Sequence, residues 1–330
     1  MDGNDIESRV PVSETLLFQL NTFVCPVLHE AYGEIYRVRK IEIRAPLIAD
    51  NTETAGAVGA GLSCGTDSLY TVASYSKTAF PRQNLTHLCF LDSFGDGCDA
   101  KILARENCRA ARSARFCAEN GFEFVRIRSN VHLFSPQRPR YFSILNPAKA
   151  MALLRLFSSY YSSSGFAVSE FYLTERDLAH AEPFFLAMLS AGALRFYCTG
   201  SEVTRFEKTK ALVAFPPSFK FLDVCMYEAK NCGHCIKCLR TLYTLDVLGE
   251  LDRYSAVFDL DDYRKNISRY AAECWVRKTF ADDGFCRELW PAIRRKYGLS
   301  WFHAVRESVR FIRSRLKIYS FAQIRSYLRH

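Results

Sequence analysis

The stretch from Gly61 to Tyr70 reads Gly-Leu-Ser-Cys-Gly-Thr-Asp-Ser-Leu-Tyr and has the residue types of an anion-binding turn. An apolar run ends at Leu62, small and hydroxylated residues follow, and a helix-compatible segment begins at Asp67. This order predicts a strand, a tight turn and a helix start, which would bring backbone N–H groups and the hydroxyls of Ser63 and Ser68 to one point. Phosphate is the ligand that such a turn favours. The lysine of the Gly-x4-Gly-Lys-Ser/Thr loop is missing, which argues against kinases and motor ATPases.

A second group of residues suited to chemistry consists of four cysteines: Cys225, Cys232, Cys235 and Cys238. Thiolates at this spacing can close a tetrahedron around zinc, with the Cys-x2-Cys steps forming a knuckle and Gly233 easing its turn. Iron–sulfur clusters also use four cysteines, so zinc is the first choice and iron stays open. Because four thiolates fill the coordination shell of zinc, the ion would have a structural role.

Strand and helix patterns alternate around the Ser63 turn. The apolar strand candidates are residues 57–62, 86–91, 122–128, 167–173 and 194–198. The helical patterns cover residues 68–78, 100–120, 148–161 and 182–189. Such alternation predicts a parallel sheet with helices on both faces, in which ligands bind beyond the carboxyl ends of the strands. Residues 34–48 alternate apolar and polar types and predict a small N-terminal β element.

The composition is that of an ordinary globular protein, with 49% hydrophobic and 24% charged residues. A chain of 330 residues is long enough for one sizeable hydrophobic core and a smaller second domain. No apolar run approaches the roughly 18 residues that cross a bilayer. The first residues, Met-Asp-Gly-Asn-Asp, lack the pattern of a signal peptide. Thirteen cysteines, an odd number, indicate reduced thiols in such a chain. We therefore expect a cytoplasmic protein without a membrane partner.

The net charge of +9 is concentrated at residues 251–330, which carry 17 Lys or Arg against 9 Asp or Glu. A basic segment of this kind is compatible with nucleic acid. Yet Arg306 and Arg310 alternate with Val305 and Val309 at helical spacing, and this pattern is typical of a packed helix with its arginines in solvent. We favour the packed helix.

Several segments together resemble the PP-loop ATP pyrophosphatases of the adenine nucleotide alpha hydrolase superfamily, in the branch of 7-cyano-7-deazaguanine synthase. The Ser63 turn is similar to the family loop Ser-Gly-Gly-x-Asp-Ser, and the cysteines are similar to its Cys-x6-Cys-Gly-x-Cys-x2-Cys cluster. Residues 200–208 and 237–241 also follow the pattern of these relatives. The resemblance covers residues 57–249.

We expect an α/β fold. The resemblance implies a doubly wound parallel sheet of the HUP-like, Rossmann-like type with a four-cysteine zinc knuckle, and the residue patterns outside it add a small N-terminal β element and a helical C-terminal region. We expect the β element in residues 1–50, the ATP pyrophosphatase domain in 51–250 and the basic helices in 251–330.

The resemblance further implies an enzyme that cleaves ATP between the α and β phosphates, adenylates a small-molecule carboxylate and lets ammonia or an amine displace AMP, forming an amide or nitrile. By carry-over from the family, the pyrophosphate loop consists of Ser63, Cys64, Gly65, Thr66, Asp67 and Ser68. In this scheme Asp67 helps to bind Mg²⁺. Arg205 and Lys208 neutralise charge on the triphosphate. The adenine base of the nucleotide lies near Leu91 and Ser93.

Cys64 stands where the family has glycine, and this departure leaves three interpretations. Glycine accepts a positive φ and close approach of phosphate, whereas cysteine adds a Cβ. The substitution is tolerated if φ is negative, which is the interpretation we favour. Otherwise the loop is degenerate, or a thiolate of lowered pKa at the helix start is reactive.

Three functional classes stay open: the carboxylate-activating enzyme, an RNA-modifying relative that inserts sulfur or nitrogen, and a non-catalytic nucleotide-binding protein. The basic C-terminal segment permits nucleic acid, but no recognised RNA-binding module supports it, and we favour the first class. A homodimer is compatible with the sequence.

Overall fold

The computed structural model describes residues 4–36, 39–50, 53–92, 99–130, 138–173 and 178–327. The chain divides into two compact units, Met1–Asp223 and Val224–His330. The division at residues 50 and 250 that the sequence suggests stays a prediction.

Strands and helices alternate through most of the first unit. Its described strands are β1 (Ile6–Glu7), β2 (Val12–Ser13), β3 (Ile43–Arg44), β4 (Leu47–Ile48), β5 (Ala57–Gly61), β6 (His87–Asp92), β7 (Glu123–Arg128), β8 (Phe157–Ser163) and β9 (Arg195–Thr199). Its described α-helices are α1 (Glu14–Gln19), α2 (Cys25–Tyr36), α3 (Thr66–Tyr75), α4 (Ala100–Asn120), α5 (Arg138–Met151), α6 (Glu182–Phe185), α7 (Arg205–Leu212) and α8 (Pro217–Phe221).

Five of the described strands form one parallel sheet in the order β7-β6-β5-β8-β9. The chain runs outward from β5 to β7 and then returns to β8 on the other side of β5, so the strand order reverses between β5 and β8. The carboxyl ends of strands at such a reversal form the crevice where ligands bind in open parallel sheets. The turn that follows β5 and the residues that follow β8 therefore lie at this crevice.

The central strand is buried because helices and loops cover the sheet: Val58 and Ala60 are almost completely inaccessible. The apolar core of this unit joins Phe157 and Phe196 of the sheet to Tyr32 of α2. The N-terminal β element is smaller than expected, since β1 pairs with β3 and β2 with β4 over two residues each. The helix α2 occupies the first part of the segment 34–48 that was expected to be extended.

Most of the expected elements are confirmed. The observed strands β5, β6, β7 and β9 lie within one residue of the predicted segments at each end, and α4 has the predicted bounds. Two assignments are wrong. Residues 148–161 do not form one helix, because α5 ends at Met151 and Phe157–Ser163, rich in aromatic residues that favour strands, is the fourth strand of the sheet. Residues 167–173 are not a strand, and Val168–Glu170 form a 3₁₀ turn.

The second unit is helical in its described part, as predicted for the C-terminal region. Its α-helices are α9 (Ile236–Val247), α10 (Leu260–Lys265), α11 (Ile267–Phe280), α12 (Gly284–Tyr297) and α13 (Trp301–Tyr327). Three buried tyrosines form its centre: the Tyr243 hydroxyl donates to the Tyr270 carbonyl oxygen at 2.6 Å, and Tyr263 lies between α9 and α11. In the part of the chain that the structure describes, no helix combines the length and apolarity that a membrane crossing requires.

The helix α13 presents an unexpected face to its neighbour α11. Arg306 is exposed as expected, but Val305 and Val309 are 62% and 42% exposed as well. Ala304 and Glu307 are buried instead. The expectation that the valines of this helix pack inward is therefore wrong, because a small residue and a carboxylate occupy the packed face.

One glycine of the central strand is required by packing. A Cβ built on Gly59 would lie 2.6 Å from Cε1 of Phe157, a ring that is completely buried and held between His87 and Tyr160. We expect Gly59→Ala to lower the free energy of unfolding by about 1–3 kcal/mol, because the ring has to shift. Gly61→Ala, in the same strand, is the control, since its Cβ would meet Tyr160 Oη at 3.5 Å, an ordinary contact. Equal urea midpoints for the two variants would contradict this account.

Candidate functional site

The turn between β5 and α3 brings together the two hydroxyls that the sequence singled out. Gly65 is the N-cap residue of α3 and has extended backbone, with φ −76° and ψ 170°. Ser63 Oγ accepts a hydrogen bond from the Gly65 N–H at 3.3 Å and lies 3.3 Å from Ser68 Oγ. Ser68 Oγ also donates to the Gly65 carbonyl oxygen at 3.1 Å. Two hydroxyls and the first N–H groups of a ten-residue helix therefore meet at the crevice.

Thr66, in the first turn of α3, is 1% exposed, and its hydroxyl oxygen has no hydrogen-bond partner among the described residues. A buried hydroxyl without a partner costs about 1–3 kcal/mol. An oxygen-bearing ligand bound at the helix start would accept its hydrogen bond. Thr66 therefore fits the expected phosphate loop.

Three residues that the resemblance placed in the reaction meet in space, although α3 and α7 are far apart in the sequence. The Arg205 Nη2 atom lies 2.7 Å from Asp67 Oδ2, and Lys208 Nζ lies 3.3 Å from Asp67 Oδ1. Lys208 also donates to the Ser164 carbonyl oxygen at 2.7 Å, directly after β8. The segments that follow β5 and β8, the two strands between which the strand order reverses, thus contribute to one cluster.

Local structure fixes both cations of this cluster. Thr204 caps α7 by accepting a hydrogen bond from the Glu207 N–H, so Arg205 and Lys208 lie one turn apart on the same face. Gly200 has a φ of 76°, and a Cβ there would lie 3.0 Å from Lys208 Cε. A glycine at this position therefore leaves room for the lysine side chain.

The cluster has an uneven balance of charge. Burial lowers the pKa of Lys208, which is 1% exposed, and the neighbouring Asp67 carboxylate opposes this shift. A buried ammonium group needs partners of this kind, since its desolvation is otherwise very costly. Two cations contact one carboxylate directly, so these contacts alone leave one positive charge at the start of α3, which the Glu202 carboxylate offsets in part from farther away.

Cys64 adopts the conformation that is usual for glycine. Its φ is 58°, in the left-handed region that costs a non-glycine residue about 1–2 kcal/mol. The negative φ at residue 64 on which the favoured interpretation, a tolerated substitution, depends is therefore not found. The side chain is completely buried, with Sγ 3.9 Å from Ser113 Oγ, and burial raises the pKa of the thiol to about 12. The interpretation of Cys64 as a reactive thiolate of lowered pKa is contradicted.

Residues that sequence reasoning missed hold the strained turn in place. The Asp223 N–H donates to the Cys64 carbonyl oxygen at 2.8 Å, and the Asp223 carboxylate forms ion pairs with Arg112 and Arg109 of α4. Ser113 Oγ donates to the Leu62 carbonyl oxygen at 3.2 Å. These residues belong to no motif around the loop, and their spacing in the sequence gives no signal of this contact.

The structure describes one of the two positions that the resemblance assigns to binding of the adenine base. Leu91 is half-buried near the carboxyl end of β6, and its Cδ1 atom would lie 4.0 Å from a Cβ built on Gly61. Ser93 lies outside the described residues. Next to Leu91, the fully buried Asp92 forms ion pairs with Arg126 at 2.8 Å and Arg128 at 3.5 Å, and sequence reasoning missed this carboxylate too.

The four predicted cysteines converge in the second unit. The Sγ atoms of Cys225, Cys232, Cys235 and Cys238 all lie within 4.8 Å of one another, so the group could hold a metal ion. The Cys235 N–H donates to Cys232 Sγ at 3.3 Å, as in a metal knuckle, and Gly233 makes the turn with a φ of 75°. The hydrogen bond from Cys238 holds the pKa of Cys235 below its usual range. His234 is exposed and does not belong to the group.

No family model matches the chain, and no curated protein or solved structure shows significant similarity to it. The chemistry of the two sites follows from their own residues. The first can bind an oxyanion through hydroxyls, helix N–H groups and two cations. The second can hold a metal ion through four thiolates.

The burial of Cys64 predicts its reactivity. At about pH 8, a thiol of pKa about 12 is thiolate in roughly one molecule in 10⁴. We expect iodoacetamide to modify the exposed Cys108 of the folded protein and to leave Cys64 unmodified, as measured by peptide mass spectrometry. Modification of Cys64 only after unfolding in urea is the control. Native modification of both cysteines at equal rates would contradict the assignment.

Proposed function

We propose that this protein is an ATP-dependent enzyme of the PP-loop pyrophosphatase type, which adenylates a small-molecule carboxylate and releases pyrophosphate. Ammonia or an amine then displaces AMP from the activated carboxylate and forms an amide. With ammonia, a second ATP would adenylate the oxygen of that amide, and loss of AMP with the two N–H protons would give the nitrile. The observation that carries the proposal is the contact of Asp67 with Arg205 and Lys208 at the start of α3, beside the Ser63–Ser68 turn. The strand order, which reverses between β5 and β8, supports a doubly wound, HUP-like arrangement of the sheet.

In this proposal the turn binds the phosphates that leave as pyrophosphate. The hydroxyls of Ser63 and Ser68 and the N–H groups at the start of α3 hold phosphate oxygens, and Thr66 Oγ1 donates the hydrogen bond that it does not make within the protein. The carboxylate substrate is already a nucleophile, so the adenylation step needs no protein base. Positioning and neutralisation of charge supply most of the rate.

The ion pairs of Asp67 exchange when the nucleotide binds. Without ATP, the Asp67 carboxylate contacts both Arg205 and Lys208, which offsets part of the repulsion between the two cations. The triphosphate offers these cations stronger anionic partners, and Asp67 would then be available to hold Mg²⁺, an ion that would supply further neutralisation of the phosphate charge. The Ser164 carbonyl keeps Lys208 in place during the exchange.

We also propose that the four cysteines hold a structural zinc ion and that the protein acts in the cytoplasm. Four thiolate ligands leave zinc no open position for substrate, so the ion stabilises the loop before α9 and does not take part in the reaction.

The products of ATP turnover test the proposed function. With ATP, Mg²⁺, ammonium and a cell metabolite extract as the source of carboxylate, we expect AMP and pyrophosphate, separated by ion-exchange chromatography. Lys208→Met should lower turnover about 10²–10³-fold, because a cation that neutralises the phosphates is lost. Lys210→Met on the exposed face of the same helix should have no effect.

Other products would exclude the proposal. ADP and free phosphate as main products would rule out the pyrophosphatase class. Binding of ATP without turnover would favour the non-catalytic alternative, in which the strain at Cys64 reflects a degenerate loop.

Metal content tests the cysteine site independently of ATP. We expect about one zinc ion per chain by elemental analysis. Cys232→Ser should lose the metal and lower the melting temperature, because metal binding and folding of the loop are coupled. Cys274→Ser is the matched control: Cys274 is buried in the same unit, with Sγ 3.7 Å from the Cys286 carbonyl oxygen, and should keep the zinc. Absence of metal, or iron with a visible absorption band, would contradict the assignment.

A further inference from the structure

The second unit contains a cleft of about 680 Å³ between α11, α13 and the loop that carries the cysteines. This volume lies within the range of small-molecule sites. Aromatic side chains, Tyr227, Tyr270 and Phe311, line part of the cleft, and charged side chains line much of the rest. A cleft with both kinds of wall suits a small ligand that has charged groups and an apolar portion.

Some of the charged side chains in the cleft are balanced within the protein. The Arg277 guanidinium lies 2.9 Å from the Glu273 carboxylate, one turn away on α11. Asp262 accepts hydrogen bonds from Asn266 Nδ2 at 3.0 Å and from the Tyr270 hydroxyl at 3.3 Å. These groups need no ligand.

Glu307 is the exception among the acidic residues. Its side chain is 4% exposed, and its Oε1 atom has no hydrogen-bond partner among the described residues. Arg306 Nε lies 3.9 Å from Oε1, too far for a hydrogen bond, and Arg310 Nη1 lies 3.6 Å from Oε2. A buried carboxylate oxygen in this state lacks the N–H donor that would offset its desolvation.

Arg269 is the corresponding exception among the basic residues. Within the described part of the chain it has no ion-pair partner, and its buried Nε atom makes no hydrogen bond. Its guanidinium carbon lies 4.7 Å from the centre of the Tyr270 ring, a contact that orients the group without neutralising it. Among the described residues, the cleft thus contains one cation without an ion pair and one buried carboxylate oxygen without a hydrogen bond.

We propose that this cleft binds an amino carboxylate, a small molecule with both an ammonium and a carboxylate group. Glu307 receives the ammonium, and Arg269 receives the carboxylate through charge-assisted hydrogen bonds. A ligand with only negative charge would be repelled by Glu307, and a ligand with only positive charge by Arg269 and Arg310. Tyr227 and Phe311 accommodate its apolar portion. This site lies within the second unit, and the proposal does not depend on that of ATP turnover.

Isothermal titration calorimetry of the full chain tests the proposal. The probes are the standard amino acids and longer linear amino carboxylates, each with the amine and the carboxylic acid that lack one of the two charges. We expect at least one amino carboxylate to bind and its singly charged counterparts to bind about tenfold more weakly or worse. Glu307→Gln and Arg269→Gln should each weaken binding at least about tenfold. Arg313→Gln, exposed on the same helix as Glu307, is the control for loss of charge and should bind normally.

Each other result overturns the proposal. If no amino carboxylate binds, the cleft is not a site for this class of ligand. If the amine or the acid alone binds as tightly as the matched amino carboxylate, the two groups do not act together. Should Glu307→Gln fail to fold, as judged by circular dichroism, Arg269→Gln and the singly charged probes on the wild-type protein still decide the outcome.

Discussion

The contact of Asp67 with Arg205 and Lys208 is the interaction on which the candidate site depends. It joins the first turns of α3 and α7, and the Ser164 carbonyl extends it to the end of β8. A lysine that is 1% exposed would be very unfavourable without these partners. Removing the Asp67 charge would therefore disturb the position of both cations.

Backbone strain and its compensation explain how the turn accommodates Cys64. A left-handed cysteine costs about 1–2 kcal/mol relative to glycine. Its side chain recovers part of this cost by burial in the core, and the hydrogen bond from the Asp223 N–H fixes the carbonyl. The thiol is thus enclosed in the core beside Ser113. The same burial that makes the Cys64 thiol unreactive directs its side chain into the core beside Ser113.

The sequence predicts local features of this protein better than distant ones. The apolar run at Ala57 and the hydroxyls of Ser63 and Ser68 predict the strand and the turn, because the pattern and the structure involve neighbouring residues. The cysteine cluster is predictable for the same reason. The strand at Phe157–Ser163 was missed, because a short aromatic segment is compatible with the period of a helix and with that of a strand. Only its place in the sheet, between β5 and β9, makes it a strand. Asp223 and Ser113 were missed because their role depends on contacts across the fold.

Buried polar groups in the two units differ in whether the protein itself supplies their hydrogen-bond partners. Asp92 is fully buried but paired with two arginines, so its environment is complete. Thr66 and Glu307 are also buried, at 1% and 4% exposure, yet each keeps a polar atom without a hydrogen bond. Folding does not retain such atoms without cost, and the cost is offset when a ligand supplies the missing partner. The two orphaned atoms differ in chemistry: a hydroxyl that can donate to phosphate, and a carboxylate oxygen that requires an N–H donor. The two proposed sites therefore call for ligands of different classes.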